Sequence, residues 1–200
     1  MTAKPYAESC DQNGPHILNV LKRFLPDQGE LLEIGSGTGQ HAVMFASEFP
    51  GLTWNTSDRA ETHSGIQMWL DESDSANLRK PIALDVLNDA WPGQQFDAAY
   101  TANTAHIMSM QAVEAMFEGV SNALKSGGVF LTYGPFKYDG RQTSDSNVRF
   151  EEWLQSVDVQ RGIRDVTWLK GITAPLGLVL EEDVAMPENN RILVWRKGNH

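Results

Sequence analysis

Glu33-Ile-Gly35-Ser-Gly37-Thr-Gly39-Gln-His is the stretch whose residue types and spacing are best suited to holding a ligand. Glycine lets a backbone turn sharply and lie close against a bound molecule. The stretch follows a predicted strand and opens a predicted helix, the setting such a loop needs. A dinucleotide-binding loop has the spacing G-x-G-x-x-G. Here position 40 is Gln and the third glycine comes one residue early, which disfavours a pyrophosphate at the helix N-terminus. The acidic Glu33 ahead of the first glycine suits a ligand carrying positive charge. A purely structural tight turn is the plain alternative, and the strand–loop–helix setting argues against it.

Two further carboxylates follow in order. Asp58 ends the second predicted strand, where a carboxylate can accept both hydroxyls of a ribose. Asp85 ends the third and is placed to accept a hydrogen bond from an adenine amino group. The alternative for each is a helix N-cap or a solvated turn. His106, just beyond the fourth strand, lies on the carboxyl side of the sheet with an ordinary pKa near neutrality, and it is the best candidate for a general base. A histidine hydrogen-bonded in a loop or core is the competing reading. Asn103, at the same strand end, offers an amide to a cofactor or an acceptor. Tyr133 is expected to end the fifth strand, lining a pocket or lying edge-on to a cation. The remaining histidines, His16, His41, His63 and His200, form no H-x-x-x-H or H-E-x-x-H pattern, and no G-x-x-x-x-G-K-[ST] run occurs. A metal site and P-loop chemistry are therefore not expected.

These residues need strands and helices to position them. Pro15 followed by Ile17, Leu18, Val20, Leu21, Phe24 and Leu25 has helical spacing with proline near the start. Leu31–Ile34 is a short apolar run of the kind a buried parallel strand shows. After Gly39, Ala42, Val43, Phe45, Ala46 and Phe49 make an amphipathic helix that stops at Pro50-Gly51. Strands are expected at 52–56, 81–84, 96–102 and 129–133, with helices around Ile66–Leu70 and Val113–Leu124. The six tryptophans are expected to be mostly core. Leu178–Val184 and Arg191–Trp195 are separated by six residues, too few for a crossover helix, so this pair is antiparallel. The expected fold is α/β: a Rossmann-like doubly wound, mostly parallel seven-stranded sheet closed by a C-terminal antiparallel hairpin.

Composition narrows the partners. The chain has 200 residues, 16 Lys+Arg against 26 Asp+Glu and a net charge of −10. An acidic balance argues against nucleic acid and against an anionic membrane surface. With 41% hydrophobic and 21% charged residues it is an ordinary globular chain. Cys10 is the single cysteine, so neither an intramolecular disulfide nor a multi-thiolate metal site is available. Met1-Thr-Ala-Lys-Pro-Tyr lacks the apolar region of a signal peptide, and no apolar run approaches membrane-helix length. The expectation is one cytoplasmic domain over residues 1–200, of undetermined oligomeric state.

Glu33-Ile-Gly35-Ser-Gly37-Thr-Gly39, Asp58, Asp85 and the order of strands resemble a class I S-adenosylmethionine-dependent methyltransferase over nearly the whole chain. More specifically, Asn103-Thr-Ala-His106-Ile, Tyr133-Gly-Pro-Phe136, Ser146-Asn147, Gly162-Ile-Arg-Asp165 and Met186-Pro-Glu-Asn-Asn190 are similar to the methyltransferase-like family that contains human methyltransferase-like protein twenty-six. The resemblance implies S-adenosyl-L-methionine as cofactor, held at its methionine part by Glu33, Gly35, Gly37 and Gly39, at its ribose by Asp58 and at its adenine by Asp85, with Asn103 beside it. It groups Asn13, Asn147, Asn189 and Asn190 around an acceptor pocket, and it brings no established substrate. That family commonly has Arg-Asn where this chain has Gln12-Asn13, which removes an arginine from any carboxylate contact there.

Methyl transfer draws on alignment of the nucleophile behind the methyl, worth about 7–11 kcal/mol, and needs a base only where the acceptor must first lose a proton. His106 and Tyr133 are accordingly the catalytic candidates. The expected activity is methyl transfer to a small-molecule acceptor, because the core fold occupies nearly all 200 residues. Two other readings stay open: a module that binds the cofactor without turnover, and a nicotinamide-dependent oxidoreductase. The early third glycine and the terminal hairpin count against the latter.

Overall fold

A computed structural model describes residues 3–198. The chain opens with helix α1 (Glu8–Phe24) and then alternates: β1 (Gly29–Ile34), α2 (Gln40–Ala46), β2 (Leu52–Asp58), α3 (His63–Asp71), β3 (Leu78–Ala83), β4 (Phe96–Ala102), α4 (Met110–Ala123), β5 (Leu124–Lys137). The second part adds α5 (Asp145–Val157), β6 (Arg164–Asp165), α6 (Val166–Thr173), β7 (Leu178–Ala185) and β8 (Asn190–Lys197). The sheet runs β3-β2-β1-β4-β5-β8-β7, with the two-residue β6 alongside β5. β1 to β5 pair in parallel, and β8 pairs antiparallel with both β5 and β7. The doubly wound sheet and its antiparallel hairpin are as the strand–helix alternation implies, with β6 as an eighth, short strand.

Alternation along each strand divides the core in two. Leu32, Ile34, Phe96, Phe117, Phe130 and Trp195 pack on the face covered by α4 and α6. Ile17, Leu21, Leu31, Phe45, Trp54 and Tyr100 pack on the face covered by α1 and α2. With both faces covered, the strands read as near-continuous apolar runs.

Two expectations are corrected. α1 begins at Glu8, seven residues before Pro15, and the proline lies inside it. The first turns are pinned from outside: Ala7 N–H donates to Gln40 Oε1 at 2.6 Å, and Gln40 Nε2 donates to the Ala7 carbonyl at 3.2 Å and Asp11 Oδ1 at 3.3 Å. That anchoring holds residues ahead of a proline in a helix they would not hold alone. Tyr133 does not end β5, which continues to Lys137 because β8 keeps pairing with it as far as Pro135 and β6 takes over at Phe136. The tryptophans are mostly core, as expected: Trp54 and Trp195 are fully buried and Trp91 and Trp168 pack against the core, whereas Trp153 on α5 is 55% exposed, stacked on Phe150.

Candidate functional site

The strand order reverses between β1 and its two neighbours: β2 and β3 lie on one side, β4 and β5 on the other. In a doubly wound sheet the crevice at that point, outside the carboxyl ends of the strands, is where ligands bind. A cavity of about 660 Å³ lies there, lined by Glu33, Gly35 and Gly37 after β1, Asp58 and Arg59 after β2, Leu84 and Asp85 after β3, and Asn103, Thr104 and Met108 after β4. Ala7, Ser9 and Cys10 contribute from the start of α1, and Asp158, Gln160 and Arg161 from the segment after α5.

The glycine loop has the backbone its composition demands. Gly35, Gly37 and Gly39 all have positive φ, at 69°, 60° and 92°. At Gly39 a Cβ would meet the Ile66 backbone at 3.2 Å, so glycine is what lets α3 approach. At Gly37 a Cβ would meet nothing within 4 Å and would project into open space beside the cavity. Asp58 shapes the loop, accepting the Gly37 N–H on Oδ2 and the Arg59 N–H on Oδ1, each at 2.8 Å.

Glu33 is 2% exposed, and its Oε2 accepts from Trp54 Nε1 and Ser36 Oγ, both at 3.0 Å. Burial raises its pKa to about 7 against the pull of those two donors. Asp85 accepts from the Leu87 N–H at 2.9 Å and Asn88 Nδ2 at 3.1 Å, and these bonds hold its pKa below the usual carboxylate value. The turn role and the place on the cavity wall therefore coexist in one residue.

Of the residues singled out from sequence, Glu33, Gly35, Gly37, Asp58, Asp85 and Asn103 share the cavity wall. Gly39 lies behind it as the left-handed residue before α2. His106 is buried, its ring edge-on to Phe150, and a Cβ on Gly134 would lie 3.6 Å from its Nδ1 and 4.0 Å from Asn103 Oδ1. Burial, with Arg164 and Arg161 nearby, lowers its pKa to about 4, so the imidazole is neutral at physiological pH. Tyr133 is buried and hydrogen-bonded to Asn13, whose Oδ1 lies 2.7 Å from His41 Nε2. Asn147 is buried at the start of α5, bonded to Ser144 and Thr143, and Asn190 Nδ2 donates to the Pro187 carbonyl. None of His106, Tyr133, Asn13, Asn147 and Asn190 lines the cavity.

Sequence reasoning passed over Arg161, and nothing in its local sequence marks it. Its place follows from α5, which carries the chain back over the sheet, and from Arg164. Arg164 is 8% exposed and donates to the carbonyls of Ala105 (3.0 Å), Gln160 (2.8 Å) and Met108. His41 is also buried on the wall, with its pKa lowered by burial to about 4. No group of three or more His, Cys, Asp or Glu able to hold a metal occurs among the described residues, and His200 lies outside them. No helix among the described residues is long and apolar enough to cross a membrane.

This strand order and hairpin define the class I methyltransferase fold. An O-methyltransferase family protein from Burkholderia thailandensis superimposes with a TM-score of 0.80 at 15% identity, covering 93% of this chain and 56% of that one. Human N-acetylserotonin methyltransferase, solved in complex with SAM, gives 0.78 at 18% identity, covering 96% and 53%. An O-methyltransferase family 2 protein from Planctomyces limnophilus, in complex with apigenin, gives 0.80 at 15% identity, covering 94% and 60%. The chain thus spans little more than half the length of these proteins. It belongs to the family described as "Protein of unknown function (DUF938)", whose model matches residues 4–197.

Proposed function

We propose that the chain is an S-adenosylmethionine-dependent methyltransferase acting on a small-molecule acceptor. The observation that carries this reading is that Glu33, the glycine loop, Asp58 and Asp85 all converge on one cavity at the switch point. Solved neighbours of the same fold include proteins in complex with SAM and in an SAH-bound form. The finer kinship, with the family that contains human methyltransferase-like protein twenty-six, rests on the five motifs quoted above.

The residues fit the cofactor. Gly37 leaves the loop open where a side chain would intrude. Glu33 Oε2 takes two donors while Oε1 accepts none among the described residues, leaving an oxygen for a cationic group. Asp58 has lone pairs beyond the two backbone bonds it accepts and would hold the ribose hydroxyls. Asp85 would hold the adenine between Leu84 and Met108. Bound there, S-adenosylmethionine supplies a methyl group on a sulfonium sulfur, an electrophile that needs alignment more than a strong base. Asn103 and the segment after it would orient the acceptor. His106, kept neutral beside Asn103, is the base proposed for an acceptor that must lose a proton. Tyr133, tied to Asn13, would brace the floor, with Asn147 and Asn190 further out toward the acceptor side. The cavity volume falls within the roughly 300–1,000 Å³ of small-molecule sites. The surplus of acidic residues disfavours nucleic acid as acceptor.

Calorimetry with S-adenosylhomocysteine tests the reading, and absence of binding ends it. Transfer of labelled methyl from the cofactor to any metabolite of a cell extract separates an enzyme from a module that only binds.

A further inference from the structure

Two arginines lie on the cavity wall, and they differ in how their charge is met. Arg59 is paired with Glu61 at 3.0 Å. Arg161 has no ion pair and no side-chain hydrogen bond among the described residues, and its Nε is buried without a partner. In a chain carrying 26 acidic residues, an unmatched guanidinium at the edge of a cavity is not explained by packing. Buried polar groups are paired in nearly all native structures, and an orphan calls for a partner the chain itself does not provide.

The backbone around Arg161 is fixed. Gly162 N–H donates to the His106 carbonyl at 3.0 Å, the Arg161 N–H donates to the Asp158 carbonyl at 2.9 Å, and Arg164 ties the same segment to the Ala105 and Met108 carbonyls. The backbone of Arg161 is therefore held beside the post-β4 segment, on the acceptor side assigned above, and its half-buried side chain lines the cavity there. Its charge is also felt by the His106 ring.

We infer that Arg161 is the docking cation for the methyl acceptor, and that the acceptor is a small molecule bearing a carboxylate. A guanidinium matches a carboxylate through two parallel N–H···O bonds, which fixes orientation as well as position. A carboxylate placed there presents the rest of a small acceptor to the segment between Asn103 and His106. The inference rests on the methyltransferase reading for the word acceptor, but the anion site itself stands or falls separately.

The test uses the full chain labelled with ¹⁵N, following the Nε–H resonance of Arg161, assigned by its loss in Arg161→Gln. Benzoate and the neutral isostere benzamide are titrated with and without S-adenosylhomocysteine. Benzoate is expected to shift the resonance saturably, also with S-adenosylhomocysteine bound, and benzamide to leave it in place. By titration calorimetry, which does not depend on the arginine resonance, Arg161→Gln is expected to weaken benzoate about 10- to 100-fold, Arg161→Lys less, with S-adenosylhomocysteine affinity and melting temperature close to wild type in both. Equal effects of benzoate and benzamide, or no shift at any soluble concentration, overturn the proposal. So does displacement of benzoate by S-adenosylhomocysteine, which would assign Arg161 to the cofactor's own carboxylate. Failure of S-adenosylhomocysteine to bind at all defeats the methyltransferase reading and leaves the benzoate comparison to decide the anion site.

Discussion

Trp54 donates its indole N–H to Glu33 Oε2 at 3.0 Å, joining the middle of β2 to the end of β1 directly below the glycine loop. The same oxygen takes the Ser36 hydroxyl. Both donors favour the carboxylate, yet the acid is pushed up to about 7, because removing it from water outweighs two hydrogen bonds.

That balance makes stability depend on pH with a definite sign. Between 4.5 and about 7 the folded chain holds a proton on Glu33 that the unfolded chain has released. Glu33 therefore contributes a stability that declines as pH rises through this window, by at most about 3 kcal/mol. Glu33→Gln removes the decline. Melting temperatures of wild type and variant measured from pH 5 to 8 should diverge as pH rises, with the variant the more stable above neutrality.

His41 and His106 act in the opposite sense. Each is lowered from 6.5 to about 4, so the unfolded chain binds protons there that the folded chain refuses. Their contribution is complete above 6.5 and is lost as pH falls through 4, up to about 3 kcal/mol for each. Two such groups outweigh Glu33 below pH 6.5, so acid should destabilise the protein. In His106→Gln the acid limb of a denaturation-midpoint profile should be visibly shallower; an unchanged limb would show that the ring is not held neutral by the fold.

Asp58 serves the glycine loop before it serves any ligand. Asp58→Ala removes the acceptor for the Gly37 and Arg59 N–H groups. Affinity for S-adenosylhomocysteine should fall about 10- to 100-fold, the value of hydrogen bonds to a charged group. Asp58→Asn, which keeps one acceptor oxygen, should lose less. Titration calorimetry of both variants checks the order.

Two glycines of one loop should separate stability from binding. Gly39→Ala places a Cβ 3.2 Å from the Ile66 backbone at a φ of 92°, so the whole α2–α3 junction must shift. The melting temperature should fall, by more than the roughly 1–2 kcal/mol of a left-handed residue alone. Gly37→Ala has open space around its Cβ and should carry only that backbone penalty, while its methyl intrudes on the ligand side. Its signature is weakened S-adenosylhomocysteine binding at modest loss of stability.

Arg164 clamps two segments at once through three carbonyls. A lysine in its place cannot reach all three in a fixed plane. Arg164→Lys should cost about 1–3 kcal/mol and raise hydrogen exchange together in residues 103–109 and 158–162. Faster exchange in only one of the two segments would contradict the clamp.

The first half of the chain was the more legible in sequence. Gly35, Gly37 and Gly39 between an apolar run and an amphipathic stretch announce a strand–loop–helix unit, and Asp58 and Asp85 follow at the ends of the next strands, because each of these signals is local. The acceptor side was not legible. Asn13, Asn147 and Asn190 look alike as loop amides, but in the fold Asn13 bridges Tyr133 and His41, Asn147 lies inside the first turn of α5, giving its N–H to the Ser144 cap and its side-chain amide to Thr143, and Asn190 closes a hairpin. Pro15 misplaced the start of α1 because the bonds that hold the preceding residues come from Gln40, on another helix. Arg161 was passed over for the same reason: its position depends on Arg164 gripping carbonyls more than fifty residues away.

The cavity wall runs from Ala7 at the start of α1 to Arg161 beyond α5, so the two ends of most of the chain meet around one space. A molecule that touches both ends is a removable cross-link. Its binding energy adds to the work of unfolding the entire sheet rather than one loop, and the melting temperature should then serve as a meter of occupancy, climbing with the logarithm of ligand concentration. A ligand that reaches only the glycine loop would also raise that temperature, but it would leave the opening of the Arg161 segment to proceed as before.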